Sequence, residues 1–139
     1  MALEKGSIKW WLGISFFLML LPLARDANSQ MVAEGVNVTV IAEYPTTVPG
    51  LKIIRLIRVD YEPGAGIPPS LIHNDEFCTI TQGALSVVDK GKGTANVYSV
   101  GSRWSLQKGT TGSSINIADG RTTMWVYQLI EKGEGDKKK

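Results

Sequence analysis

The sequence is poor in the residues from which disulfide frameworks and metal centres are built. Its 139 residues include one cysteine and one histidine, Cys78 and His73. A lone cysteine cannot form a disulfide within the chain, and one histidine cannot supply the imidazoles of ordinary catalytic zinc or iron sites. Neither a catalytic zinc site nor a non-haem iron site of the ordinary kind can be completed within one subunit. Cys78 stands between Phe77 and Thr79 in a strand pattern, which predicts a buried, inert thiol.

An excess of charge of one sign and helical periodicity are also missing. The chain carries 15 basic and 13 acidic residues, and apart from the terminal Lys137–Lys139 the basic residues are scattered. Without a basic stripe, nucleic acid is not an expected partner. No segment of ten residues shows a convincing helical pattern, so the fold is expected to be all-β.

The N-terminus has the features of an export signal. Lys5 and Lys9 are followed by an apolar run of fifteen residues, 10–24, and small residues then give a cleavage pattern before Gln30. A bilayer span needs about 20 apolar residues, so the run is short for a membrane helix. We therefore predict a signal peptide over residues 1–29, no stable membrane anchor after cleavage, and a periplasmic or secreted domain. An uncleaved anchor is the alternative.

The rest of the chain alternates β-branched segments with glycine-bearing turns. Residues 63–69 are rich in proline and glycine and predict a turn, and Gln82–Gly83 is expected to close a tight hairpin. Strands are expected at 36–41, 51–61, 76–81, 84–89, 113–118 and 122–130. This spacing is typical of an antiparallel sandwich or small barrel. We predict one β-barrel domain over 30–131 and a charged, flexible tail over 132–139.

Several residues fall at the spacing of two known motifs. Glu76 and Gly83 fit the E-x6-G end of the first motif, and the second is represented by Gly101, Gly109 and Asn116. On these residues, the segment 50–131 resembles a single-domain cupin of the RmlC-like kind. The resemblance implies a double-stranded β-helix, or jelly-roll barrel.

The resemblance is weakest at the metal ligands. In metal-binding cupins, two histidines and the glutamate of the first motif join a histidine of the second around one divalent ion. An ungapped alignment puts Ser70 and Ile72 at the first two histidine positions, and shifting the loop by one residue brings His73 to the second of them. Gly112 replaces the histidine of the second motif. The resemblance thus implies a degenerate metal site and no cofactor. Any metal would be a weakly held Fe, Mn, Ni or Zn ion on His73 and Glu76.

Glu76 is the candidate acid, base or ligand-orienting group at the barrel mouth. If Glu76 faces inward, strand alternation turns Gln82 inward too. Burial without a metal should raise the pKa of the Glu76 carboxyl. The alternative is a structural carboxylate paired with a hydroxyl, Arg55 or Arg58.

The other candidate ligand-binding residues are His73, Tyr98 and Trp104. Each also has a structural interpretation. His73 has the opposite strand parity from Glu76 and could be a rim residue, whereas the two aromatic side chains could fill the core.

Three functions are consistent with these residues. The preferred one is an exported cupin that binds a small organic ligand inside the barrel, with Glu76, His73, Gln82, Tyr98 and Trp104 around it. The second is a metal-dependent enzyme of the dioxygenase, isomerase or lyase type that uses His73 and Glu76. The third is a structural barrel that forms a homodimer through its edge strands.

Overall fold

The β-branched segments of the sequence form strands, and glycine-bearing segments turn the chain between them. The computed structural model describes residues 29–90 and 92–133, which contain ten strands and no helix. The strands are β1 (Ser29–Ala33), β2 (Val36–Pro45), β3 (Leu51–Tyr61), β4 (Gly66–Leu71), β5 (Asp75–Gln82), β6 (Ala84–Asp89), β7 (Thr94–Ser99), β8 (Arg103–Leu106), β9 (Thr111–Asn116) and β10 (Thr122–Glu131).

Parts of two sequence predictions lie outside the described residues. These parts are residues 1–28 of the predicted signal peptide and residues 134–139 of the predicted tail. Strand β1 begins at Ser29, one residue before the predicted cleavage point. No helix in the described ranges is long and apolar enough to cross a membrane.

The strands form two antiparallel sheets. The six-stranded sheet has the order β1-β2-β3-β10-β5-β8, and the four-stranded sheet has the order β4-β9-β6-β7. All pairings are antiparallel, including the long register of β10 with β3 and of β10 with β5. The two-sheet jelly roll expected from the sequence is therefore confirmed.

The core lies between the two sheets and follows from strand alternation. Most of its buried side chains come from the six-stranded sheet, while Leu85 and Val87 come from β6 of the four-stranded sheet. The members from the larger sheet are Val36, Ile57, Val59, Tyr61, Cys78, Ile80, Met124 and Val126. Each large apolar side chain in such a position contributes about 1.5–3 kcal/mol by leaving water.

The hairpin predicted at Gln82–Gly83 is wrong. Strands β5 and β6 do not pair; β5 lies between β10 and β8, whereas β6 lies between β7 and β9. Gly83 is the corner at which the chain crosses from one sheet to the other. It has a φ of +79°, and a Cβ there would overlap the Oγ1 of Thr122. Only glycine combines that backbone angle with so close an approach.

The turn predicted over residues 63–69 is partly wrong, because its second half is strand β4. Pro68 and Pro69 are tolerated there because β4 is an edge strand and its pairing with β9 is irregular between Ile67 and Ser70. Proline cannot donate to a sheet ladder, so edges and bulges are where it occurs in strands. The sequence pattern alone favours a turn because proline and glycine dominate it.

A buried amide holds the corner between β9 and β10. The side chain of Asn116 is 2% exposed, and its Nδ2 donates to the carbonyl oxygens of Tyr61, Glu62 and Gly120 at 3.2, 3.1 and 2.9 Å. Its Oδ1 accepts from the Ala118 N–H at 2.9 Å and from the Thr122 hydroxyl at 2.7 Å. The asparagine of the second motif is thus a structural residue.

Candidate functional site

A small cavity lies between the two sheets next to the core. Its volume is about 90 Å³, and residues from β3 to β10, other than β7, line it. The apolar part of the wall consists of Ile67, Ile72, Val87, Leu106 and Met124. The polar part consists of Tyr61, Ser70, Glu76, Trp104, Ser113 and Ser114. The cavity therefore offers a few polar groups against largely apolar walls, as small-molecule sites commonly do.

Glu76 is the ionisable carboxyl of this cavity. It lies on β5, opposite Gln128 of β10 and Leu106 of β8. The Gln128 Nε2 donates a hydrogen bond of 2.8 Å to Glu76 Oε1. Burial raises the pKa of the Glu76 carboxyl, and the hydrogen bond from Gln128 lowers it by a smaller amount.

The alternative partners that the sequence suggested for Glu76 are engaged elsewhere. Arg55 Nε lies 2.7 Å from Glu43 Oε1, and Arg58 Nε lies 2.8 Å from Asp60 Oδ2. The carboxyl of Glu76 is thus held by a neutral amide and not by a guanidinium. Gln128 gave no signal in the sequence, because only the pairing of β10 with β5 brings it beside Glu76.

Two hydroxyls form a second polar element of the wall. The Tyr61 hydroxyl, on β3, lies 3.0 Å from Ser114 Oγ on β9, so this contact joins the two sheets across the cavity. Burial raises the pKa of the Tyr61 phenol, so the phenol stays protonated. Sequence reasoning missed both residues, which lie far apart in the chain and belong to ordinary strand patterns.

Trp104, which lines the cavity, stacks on Tyr98 at the edges of the two sheets. Their rings stack with centroids 4.1 Å apart and planes inclined by 6°. Tyr98 belongs to edge strand β7 and Trp104 to edge strand β8, so the stack links the two sheets. Trp104 lines the cavity, whereas Tyr98 is not among the lining residues and supports the indole from behind.

Besides Tyr98, the structure separates two further predicted ligand-binding residues from the cavity. His73 is exposed in the segment between β4 and β5 and does not line the cavity. Gln82 is exposed because β5 is irregular near its end: Thr123 pairs with Gln82 and Met124 with Ile80, so Thr81 is skipped. A bulge of this kind breaks the alternation on which an inward Gln82 depended.

The cavity gathers the positions of the ungapped motif alignment. Ser70, Ile72, Glu76 and Gly112 all line it. A Cβ at Gly112 would lie 3.5 Å from Ile72 Cδ1, an ordinary contact. Across residues 29–90 and 92–133, no group of three or more His, Cys, Asp or Glu side chains could hold a metal ion.

Cys78 is packed in the core. It is 3% exposed, and burial together with the nearby Glu76 raises the pKa of its thiol. A thiol that stays protonated and out of contact with solvent is a poor nucleophile. The buried, inert thiol expected from the sequence is what the structure contains.

Comparisons with known proteins find similar folds among solved structures. No protein-family model matches the chain, and no curated protein matches it. Among solved structures, KdgF from Halomonas sp. has a TM-score of 0.58 at 18% identity over 73% of this chain and 86% of that chain. An oxalate oxidase has a TM-score of 0.56 at 22% identity over 69% of this chain, which spans about half (51%) of that chain.

A third solved structure is described as a sugar phosphate isomerase from a cupin superfamily of Silicibacter pomeroyi. It has a TM-score of 0.53 at 25% identity over 69% of this chain and 60% of that chain. At these identities the likeness concerns the fold.

Proposed function

The chain has the fold of the cupin superfamily, and from that premise we propose that it is an exported binding module for one small organic ligand. The ligand occupies the cavity between the two sheets. The observation that carries the proposal is the wall itself, in which Glu76, Trp104 and Tyr61 line a space bounded by apolar side chains. Export rests on the basic and apolar N-terminal sequence.

A degenerate metal site is part of the proposal. The donor set around the cavity is one carboxylate with hydroxyls, an indole and apolar side chains, which does not fit a transition-metal site. Ser70, Ile72 and Gly112 occupy the aligned histidine positions, and an aliphatic side chain or a glycine offers no donor atom there. The exposure of His73 supports the same conclusion.

In this function Glu76 orients the ligand or moves a proton to or from it. A carboxyl with a raised pKa can donate a hydrogen bond when protonated and accept one when ionised. Gln128 donates its hydrogen bond to Oε1 of Glu76. We assign the other carboxyl oxygen, Oε2, to the ligand. Glu76 is accordingly the residue to which we assign any acid or base chemistry.

Native mass spectrometry of the purified protein, combined with elemental analysis, tests the proposal. We expect a co-purified small molecule and well under one equivalent of Fe, Mn, Ni or Zn. A Cβ at Gly112 meets Ile72 only at an ordinary contact distance. Gly112→Leu should therefore be accommodated, fill the cavity with its side chain and abolish ligand retention. Ala95→Leu, at an exposed position of β7, is the matched control and should keep the ligand.

The alternative enzyme function has its own outcome in this experiment. One equivalent of metal that is lost in His73→Ala would support a metal-dependent cupin enzyme of the dioxygenase, isomerase or lyase type and overturn the binding module. Ligand retention unchanged in Gly112→Leu would place the ligand outside the cavity and contradict the proposal as well.

A structural barrel that forms a homodimer is a second candidate function, because apolar side chains are exposed beside an edge strand. Phe77 on β5 and Tyr127 on β10 are paired neighbours, 53% and 48% exposed, next to the four-residue edge strand β8. A second copy would cover this face. Light scattering should then show a dimer that Phe77→Ser dissociates, while Val97→Ser, on the other sheet, does not. A wild-type monomer at high concentration would contradict it.

A further inference from the structure

The charge of the cavity wall restricts the kind of ligand that it can take. Glu76 carries the only carboxyl among the residues that line the cavity in the described part of the chain, and no lysine, arginine or histidine lines it. Arg55, which pairs with Gln128 of β10, is held by Glu43 at 2.7 Å. An anion placed here would face a carboxylate without a compensating positive charge.

The wall also contains a hydrogen-bond donor without an acceptor. Trp104 Nε1 is buried, and within the described ranges no acceptor lies in hydrogen-bond reach of it. A buried N–H group without a partner is costly, and native proteins rarely leave one so. The Nε1 atom itself is sealed from the empty cavity. Because Trp104 lines the cavity, a ligand oxygen there is the acceptor that this donor would gain when the indole turns toward it.

The two hydroxyls opposite add a further hydrogen-bonding group. Tyr61 and Ser114 share one hydrogen bond at 3.0 Å, which uses one of their two hydroxyl hydrogens. The other hydrogen and the remaining lone pairs are free to serve a hydroxyl or carbonyl oxygen. The wall is therefore complementary to an oxygen-bearing ligand and not to a pure hydrocarbon.

The size of the cavity limits the ligand to a few heavy atoms. The cavity has a volume of about 90 Å³. Drug-sized ligands occupy sites of about 300–1,000 Å³. A molecule of two or three carbons with its oxygens matches the space.

We propose that the ligand of this barrel is an uncharged hydroxyl- or carbonyl-bearing compound of two or three carbons, and that carboxylates and phosphates are excluded. Its oxygen accepts the Trp104 indole hydrogen, and its hydroxyl group contacts Glu76 or the Tyr61–Ser114 pair. This inference rests on the proposed binding function and adds the ligand class to it.

Glycolamide and glycolate form a matched pair of probes, because they share size and shape and differ in charge. Their affinities for the full chain can be measured by calorimetry at pH 8. Because glycolate would lie against Glu76 with no cation among the lining residues, it should bind at least about 30-fold more weakly than glycolamide, as expected for two unit charges within about 8 Å at an effective dielectric constant of about 20. In Glu76→Gln the gap should close through a gain for glycolate.

The indole signals of ¹⁵N-labelled protein locate the bound probe. The chain has four tryptophans, and the signal absent from Trp104→Phe is that of Trp104. We expect glycolamide to shift this signal and glycolate, at equal concentration, to leave it in place. Trp104→Phe keeps an aromatic ring and should weaken glycolamide binding roughly tenfold, the loss of one hydrogen bond.

The outcomes separate the ligand class from the binding function. If glycolate binds as tightly as glycolamide, or a co-purified ligand is an anion, the ligand class is wrong and the binding function stands. If neither probe binds but an uncharged hydroxylated compound co-purifies, the class is supported; any other co-purified compound overturns it. If neither probe binds and nothing co-purifies, the cavity holds only water and both proposals fail.

Discussion

Replacing Asn116 by alanine should remove the buried amide that holds the corner between β9 and β10. The amide makes five contacts of 2.7 to 3.2 Å with three backbone carbonyls, one backbone N–H and the Thr122 hydroxyl. These groups belong to the end of β3, the start of β10 and the segment between β9 and β10. Alanine would remove all five contacts, although the Glu62 carbonyl keeps the Ala65 N–H and the Thr122 hydroxyl keeps its bonds with Ala84.

The size of the effect follows from the number of hydrogen bonds. The two amide hydrogens and the amide oxygen account for about four net hydrogen bonds, each worth about 1 kcal/mol. Buried groups left unpaired add to the loss, and water entering the corner offsets part of it. We expect the free energy of unfolding to fall by about 4 kcal/mol, a large share of the 5–15 kcal/mol typical of a domain.

Urea unfolding of the full chain, followed by circular dichroism, measures this change. Asn96→Ala is the matched control, because Asn96 is exposed and its amide makes one 3.4 Å contact with Thr94; it should change stability by less than about 0.5 kcal/mol. Asn116→Asp keeps the acceptors but sets a carboxylate against three carbonyls, so it should be at least as destabilising as alanine. A loss below about 1 kcal/mol in Asn116→Ala would refute the anchoring role.

Three further predictions concern single residues. Glu76→Gln should flatten the pH dependence of stability: because the pKa of Glu76 is raised on folding, its contribution is complete below the unfolded-state pKa and is lost as pH rises through the folded one. Each tenfold difference in proton affinity between the folded and unfolded states corresponds to about 1.4 kcal/mol of unfolding free energy. If the unfolding free energies of wild type and Glu76→Gln, measured by urea titration from pH 4 to 8, depend on pH in the same way, the prediction is wrong. Gly83→Ala should destabilise more than Gly101→Ala, since both have positive φ but only the former meets Thr122; equal melting temperatures would contradict the close approach. Cys78 should react with a thiol reagent only after unfolding, and fast labelling of native protein would disprove its burial.

The fold could be predicted from the sequence as far as its local signals reach. The β-branched run 51–61 forms β3 over its full length, and the alternating valines begin β2. The errors are at Gln82–Gly83 and at Pro68–Pro69, where turn residues serve a corner between sheets and an irregular edge. A glycine-bearing junction between two strands is the same local signal whether the strands pair or part, and only long-range pairing decides which occurs.

The site was predictable in part for the same reason. Glu76 and Trp104 line the cavity as the sequence suggested, whereas a bulge at Thr81 keeps Gln82 exposed and the loop keeps His73 outside. Bulges leave no clear mark in a single sequence. Hydrogen bonds between distant strands, such as those of Gln128, leave none either.

The two cupin motifs combine residues with separate tasks. Gly83 and Asn116 shape corners and do not line the cavity, whereas Ser70, Ile72 and Gly112 line it and take no part in those corners. Because the tasks fall on different residues, the barrel can keep its corners while the chemistry of its interior changes. Likeness of fold therefore predicts a barrel with an interior site but not its ligand. The proposed ligand class depends on Glu76 of the first motif together with Trp104, Tyr61 and Ser114, which lie outside the matched motif positions.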